Sequence, residues 1–74
     1  MLNKKEILTN LIGKKIGIAL MADNNYQIRK PKSQDPVSEI KEVGDDIFLV
    51  KSSFLGEFYQ SIDSIRMIDA DLLK

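Results

Sequence analysis

Residues Ser38 to Lys51 read SEIKEVGDDIFLVK, and the fold class turns on this stretch. Val37 to Val43 has the composition of a long strand, and Gly44-Asp45-Asp46 is turn chemistry, with a glycine beside two short acidic side chains. Ile47 to Val50 is then a continuous apolar run of strand length. Such a run is buried on both faces if the sheet closes on itself, which places Leu49 in the core. Two strands joined by a three-residue polar turn make a hairpin, so the chain is β-rich at its centre.

Downstream the same pattern continues. Ser52 to Gly56 turns the chain, Glu57 to Ile62 is strand-like, Asp63-Ser64 is a short corner, and Ser64 to Ile68 forms a last strand with Ile65 in the core. Upstream, Lys15 to Met21 alternates with period two: Ile16, Ile18 and Leu20 lie on one face, Gly17, Ala19 and Met21 on the other. The small side chains at Gly17 and Ala19 predict a face pressed against another backbone or a helix. Between this strand and Val37 lies a polar loop over about 23–36, opened by Asp23-Asn24-Asn25 and interrupted by Pro31 and Pro36. Tyr26 to Lys30 within it can extend as a strand.

The chain starts with helix signals. Asn3 is a good N-cap with Glu6 three residues on, and Leu2 and Ile7 are spaced for a hydrophobic staple. Ile7, Leu8, Leu11 and Ile12 form an apolar stripe, and Gly13 ends it. A helix over about 3–13 is marginal in isolation and must dock on a sheet. The predicted order is one helix and five strands, over about 15–21, 37–43, 47–51, 57–62 and 64–68, in a single domain spanning 1–74.

Composition narrows the chemistry. The 74 residues include no Cys, His or Trp, which excludes a disulfide scaffold, a cysteine zinc site, a thiol nucleophile and an imidazole base. The four glycines are isolated and cradle no phosphate. No serine has a candidate base, so no catalytic residue, metal or cofactor is expected. The longest uncharged apolar run, Ile16 to Ala22, is far short of the roughly 20 residues of a membrane span. Charges at Lys4, Lys5 and Glu6 argue against a secretory leader, so the expected setting is cytoplasmic.

Eleven basic residues balance eleven acidic ones, but the balance is uneven along the chain. Residues 1–32 carry seven basic and two acidic side chains; residues 33–74 carry four and nine. The first half therefore offers a candidate polyanion face, built from Lys14, Lys15, Arg29, Lys30 and Lys32. The alternative is that the two halves attract each other, within the fold or between copies.

A helix followed by five bent strands resembles the Sm-like fold, and in pattern most closely its bacterial RNA-chaperone branch, Hfq. The likeness is carried by Ile7 to Met21 (ILTNLIGKKIGIALM), Ser38 to Lys51, and Phe58 to Ile68 (FYQSIDSIRMI). It implies a strongly bent, antiparallel five-stranded small barrel of Sm-like or SH3-like type. It also implies a homo-oligomeric ring of about five to seven chains, single-stranded RNA as a partner, and base contacts near the strand-four corner. Carried across, those contacts are Tyr59, Gln60 and Ser61, with Phe48 as a stacking face and the five basic side chains on phosphates. The sequence departs from the family at its pockets. Ala19 stands where the Hfq branch has an aromatic, Gly44 to Phe48 lacks the uridine-binding Asn, and the corner reads Tyr-Gln-Ser instead of Tyr-Lys-His. Two readings therefore stand side by side: an RNA-binding ring, or a non-catalytic protein-interaction or assembly module on the same barrel.

Overall fold

A computed structural model describes residues 3–73. Helix α1 (Lys4–Asn10) is followed by strands β1 (Lys15–Leu20), β2 (Tyr26–Arg29), β3 (Ser38–Val43), β4 (Ile47–Ser52), β5 (Gly56–Ser61) and β6 (Ile65–Ile68). Single 3₁₀ turns cover Ile62–Ser64 and Ala70–Leu73. The Cα radius of gyration, 11.2 Å, is that of one compact unit of this length, about 11 Å.

The helix begins as its cap chemistry dictates, with Asn3 Oδ1 accepting from the Glu6 N–H at 2.9 Å. The reciprocal contact runs from Asn3 Nδ2 to Glu6 Oε1, at 3.2 Å. The staple partner Leu2 lies outside the described residues. The helix ends at Asn10, three residues short of the predicted stop. Gly13, at φ +87°, turns the chain so that its N–H reaches Ile40 O at 3.3 Å. This stitches the helix end to β3 and seats Leu8 and Leu11, both fully buried, on the sheet.

The strands form one six-stranded sheet in the order β5-β4-β3-β1-β2-β6, not closed into a barrel. The expected five-stranded antiparallel barrel is therefore replaced by a mixed sheet with one more strand, and the reason lies in the 23–36 segment. Asp23 and Asn24 both take positive φ, 56° and 60°, which these two residue types tolerate better than most. The resulting turn folds Tyr26–Arg29 back on β1, from Leu20↔Tyr26 to Gly17↔Arg29. β2 thereby occupies the side of β1 that a closed barrel needs for its last strand. β6 pairs with β2 instead, in parallel.

The inner face carries Ile16, Ile28, Ile40, Phe48, Val50 and Ile65, and α1 covers it. Each fully buried Leu or Ile contributes about 1.5–3 kcal/mol. Along β4 burial alternates: Phe48, Val50 and Ser52 are inside, while Ile47 is 47% exposed and Leu49 is half-buried. The expectation of a strand buried on both faces fails because an open sheet leaves its outer face to solvent. Leu49 lies on that outer face.

Gly17 accounts for the path of the long loop. A Cβ there would stand 2.7 Å from Asp35 Oδ2 and 3.2 Å from Pro31 Cα. The loop rests directly on the β1 backbone, as the small residue predicted. Asp35 in turn grips Arg29 through Nε at 3.1 Å and Nη2 at 2.9 Å, and accepts from the Lys32 N–H at 3.1 Å.

Two substitutions test this arrangement. Gly17→Val must displace the Pro31–Asp35 loop and is expected to lower unfolding free energy by about 1–3 kcal/mol in urea titrations. Ile65→Asp buries an unpaired charge and is expected to cost more than about 4 kcal/mol, leaving no cooperative transition, whereas Leu49→Asp stays folded. A folded Ile65→Asp would overturn the assigned facing.

Candidate functional site

Cross-strand register places the charged residues of the outer face in a row. Lys15 faces Glu39, Glu39 faces Lys51, and Lys51 faces Glu57, so one line across β1, β3, β4 and β5 alternates in sign. Lys41 Nζ also reaches Glu39 Oε2, at 3.0 Å. Glu39 is consequently held below its ordinary carboxylate range, mainly by the Lys41 bond and further by Lys15 and Lys51. Lys15 is thus part of a neutral ladder on the outer face.

The other basic candidates are dispersed. Lys14 Nζ donates to the Leu72 carbonyl at 2.9 Å and ties down the C-terminal turn. Arg29 is clamped by Asp35, and the two side chains are 20% and 8% exposed. This bidentate pair raises the guanidinium pKa and lowers the carboxyl. Lys30 and Lys32 stay exposed on the loop. Lys5 of α1 pairs with Asp45 of the β3–β4 turn. The uneven charge of the two halves is resolved in part within the fold, because Lys5, Lys15 and Arg29 of the first half meet Asp45, Glu39 and Asp35 of the second.

The strand-four corner splits in the same way. Phe48 is 1% exposed and is a central core residue, so it has no face to offer a base. Tyr59 and Ser61 stand on the outer face of β5, while Gln60 turns inward and donates from Nε2 to Ser64 Oγ at 3.1 Å. Neighbours on a strand point to opposite faces, and the three residues form no common site.

Two features stand out instead. The sheet order leaves β5 and β6 as its two edges, each with no further strand beside it among the described residues. Beside the β5 edge, on the outer face, Leu49 lies directly opposite Tyr59, which is 65% exposed. With Ile47 they surround a shallow depression of about 140 Å³ bounded by Glu42, Val43 and Gly44. β5 carries no lysine or proline that would block an incoming strand. The β4–β5 turn also exposes two large apolar side chains, Phe54 and Leu55. The sequence signal for these was an apolar pair inside a polar turn, read there only as a turn.

Among the described residues no group of three carboxylates converges to hold a metal ion, and no helix is long and apolar enough to cross a membrane. No family model, curated protein or solved structure matches the chain.

Because the Asp35 carboxyl is depressed by the Arg29 bond first and the Lys32 N–H second, its stabilisation is complete above the unfolded carboxylate value of about 3.9. It is lost as pH falls through the lower folded value. Melting temperature is expected to drop on acidification below that range. Asp35→Asn should melt lower at neutral pH and flatten this acid limb, as thermal denaturation followed by circular dichroism would register.

Proposed function

We propose that the chain is a non-catalytic assembly module of Sm-like type, joining copies of itself edge to edge. The supporting observation is the sheet order, which leaves β5 and β6 as the two unpaired edges. Placing β5 of one copy against β6 of the next continues the sheet and satisfies both edges. The apolar group of Ile47, Leu49 and Tyr59 flanks β5, and Met67, nearly half exposed, sits on β6. Each supplies side-chain contact to accompany the backbone bonds. Such a joint is heterologous: it closes into a ring if the rotation between copies allows and runs on as a filament otherwise. The resemblance favours a closed ring of about five to seven chains.

Single-stranded RNA binding is the second reading, supported by Lys30 and Lys32 on the exposed loop. It is weakened by the engagement of Lys14, Lys15 and Arg29 with groups of their own chain. A cation already engaged in its own chain is less able to neutralise a phosphate, and the salt-dependent affinity scales with the number of phosphates neutralised.

Light scattering on the purified protein is expected to give a multi-chain mass, and a monomer at every concentration would end the assembly reading. Tyr59→Lys places a charge beside the edge and is expected to dissociate the assembly with little change in melting temperature. Fluorescence anisotropy with U-rich and A-rich oligonucleotides across a salt series tests the second reading; no binding at low salt would remove it.

A further inference from the structure

A concavity of about 170 Å³ opens on the inner side of the sheet, between the β1–β2 hairpin and the β4–β5 turn. Ile18, Tyr26, Pro36, Leu55 and Phe58 form most of its wall, and no charged side chain lines it. The volume is below the roughly 300 Å³ at which pockets for drug-sized ligands begin. It is close to the cavity of about 150 Å³ that holds one benzene ring in an apolar protein core.

Four lining residues bring polar side chains to this space, and two of them are already engaged. Ser52 Oγ accepts from the N–H groups of Phe54 and Leu55, at 3.1 and 3.2 Å. Gln60 Nε2 donates to Ser64 Oγ. The other two are not engaged: among the described residues, neither the Ser38 hydroxyl nor the Tyr26 hydroxyl hydrogen-bonds a protein group. Ser38 is only 4% exposed and lies beside Ile16 and Ser52, both buried on the inner face. Its oxygen is not sealed off, since no fully enclosed side-chain oxygen among the described residues lacks a partner. The Ser38 hydroxyl therefore opens into the concavity that the residue lines. Tyr26 packs against the core and lines the same space. Buried hydroxyls are paired in the large majority of cases, so two free ones at one small pocket point to a ligand.

The chemistry of the walls specifies that ligand. The volume admits a single ring, and Tyr26 and Phe58 supply aromatic neighbours for it. Without a charged lining group, nothing offsets the desolvation of a carboxylate, an ammonium or a phosphate. The two hydroxyls can each donate and accept. We infer that the concavity binds a free, neutral, single-ring aromatic compound of the phenol class, with its polar group at Ser38 and Tyr26 and its ring against Leu55 and Phe58. Phe58 and Gln60 belong to β5 but face inward, opposite Val50 and Phe48. The side chains proposed to join copies, Ile47, Leu49 and Tyr59, lie on the other face, and the site is complete within one chain.

Titration with p-cresol, toluene, benzoate and benzylamine, followed by the methyl resonances of Ile18 and Leu55, tests this. p-Cresol is expected to shift both methyls and to bind at least about fivefold tighter than toluene, the worth of one neutral hydrogen bond. Benzoate and benzylamine are expected to leave both methyls in place. Ser38→Ala combined with Tyr26→Phe removes both hydroxyls and no bond within the chain, so its melting curve should match wild type while p-cresol falls to the affinity of toluene. Tyr59→Lys, on the outer face, should bind p-cresol as wild type does, whether or not copies remain joined. Equal affinity for p-cresol and toluene in the wild-type protein, or an undiminished preference for p-cresol in the double variant, would overturn the inference. So would loss of p-cresol binding in Tyr59→Lys, which would place the site at a joint between copies. A U-rich oligonucleotide that moves the same methyls at lower concentration than p-cresol would assign the pocket to a nucleic-acid base and overturn it as well.

Discussion

The long loop between β2 and β3 lies on the bare backbone of Gly17, and much of the structure follows from that contact. Any Cβ at this position would meet Asp35 Oδ2 and the Pro31 backbone inside normal van der Waals separation. Because Gly17 is opposite Arg29 in the β1–β2 register, the space left by the missing side chain is where the Arg29 guanidinium and the Asp35 carboxylate meet. The loop is held there at both ends. Asp35 turns it locally through the Lys32 N–H, and Val37 and Ser53 exchange bonds at 2.9 and 3.2 Å before β3 begins. A proline-containing segment that has no ladder of its own is thus held against the sheet, with Lys30 and Lys32 exposed.

β1 is the second dependency. Its first two residues pair with β3 and its last four with β2, so the two sides of the sheet are joined through one six-residue strand. That division keeps the sheet open. With β2 alongside β1, the last strand is carried one place outward and β5 and β6 remain at opposite edges. The charge ladder across the outer face belongs to the same geometry. Alternating signs at directly opposed positions stabilise the register and cancel the field of Lys15 and Lys51. The outer surface next to β5 is apolar at Ile47, Leu49 and Tyr59 and bordered by Glu42, and suits sheet-edge contact better than attraction of a polyanion.

Much of the element order was legible along the chain. Period two marked β1, the hairpin of β3 and β4 was readable from SEIKEV–GDD–IFLV, and Asn3 marked the helix start through a rule that acts over a single turn, whereas the helix stopped short of Gly13. The small residue at Gly17 also announced a close backbone approach. The candidate site was much less legible. Tyr59, Gln60 and Ser61 are contiguous in sequence and were taken together, yet strand pleating sends Gln60 inward and its neighbours outward. Phe48 was an aromatic in an apolar run, and its place at the core centre depends on which face α1 covers. The lysines of the first half gave no sign of their partners, because Glu39, Asp35 and Asp45 meet them through pairings that only the folded chain creates.

What the sequence determined by itself is therefore local: where the backbone extends, where it turns, where the helix is capped, and that no thiol or imidazole chemistry is available. These follow from propensities and side-chain bonds reaching a few residues, which the order of residues specifies directly. Whether the sheet closed, which strands became edges and which charges were cancelled were decided by tertiary structure. Each rests on register between segments distant in the chain, and a turn at Asp23-Asn24 that could have been an idle loop instead moved β6 from β1 to β2.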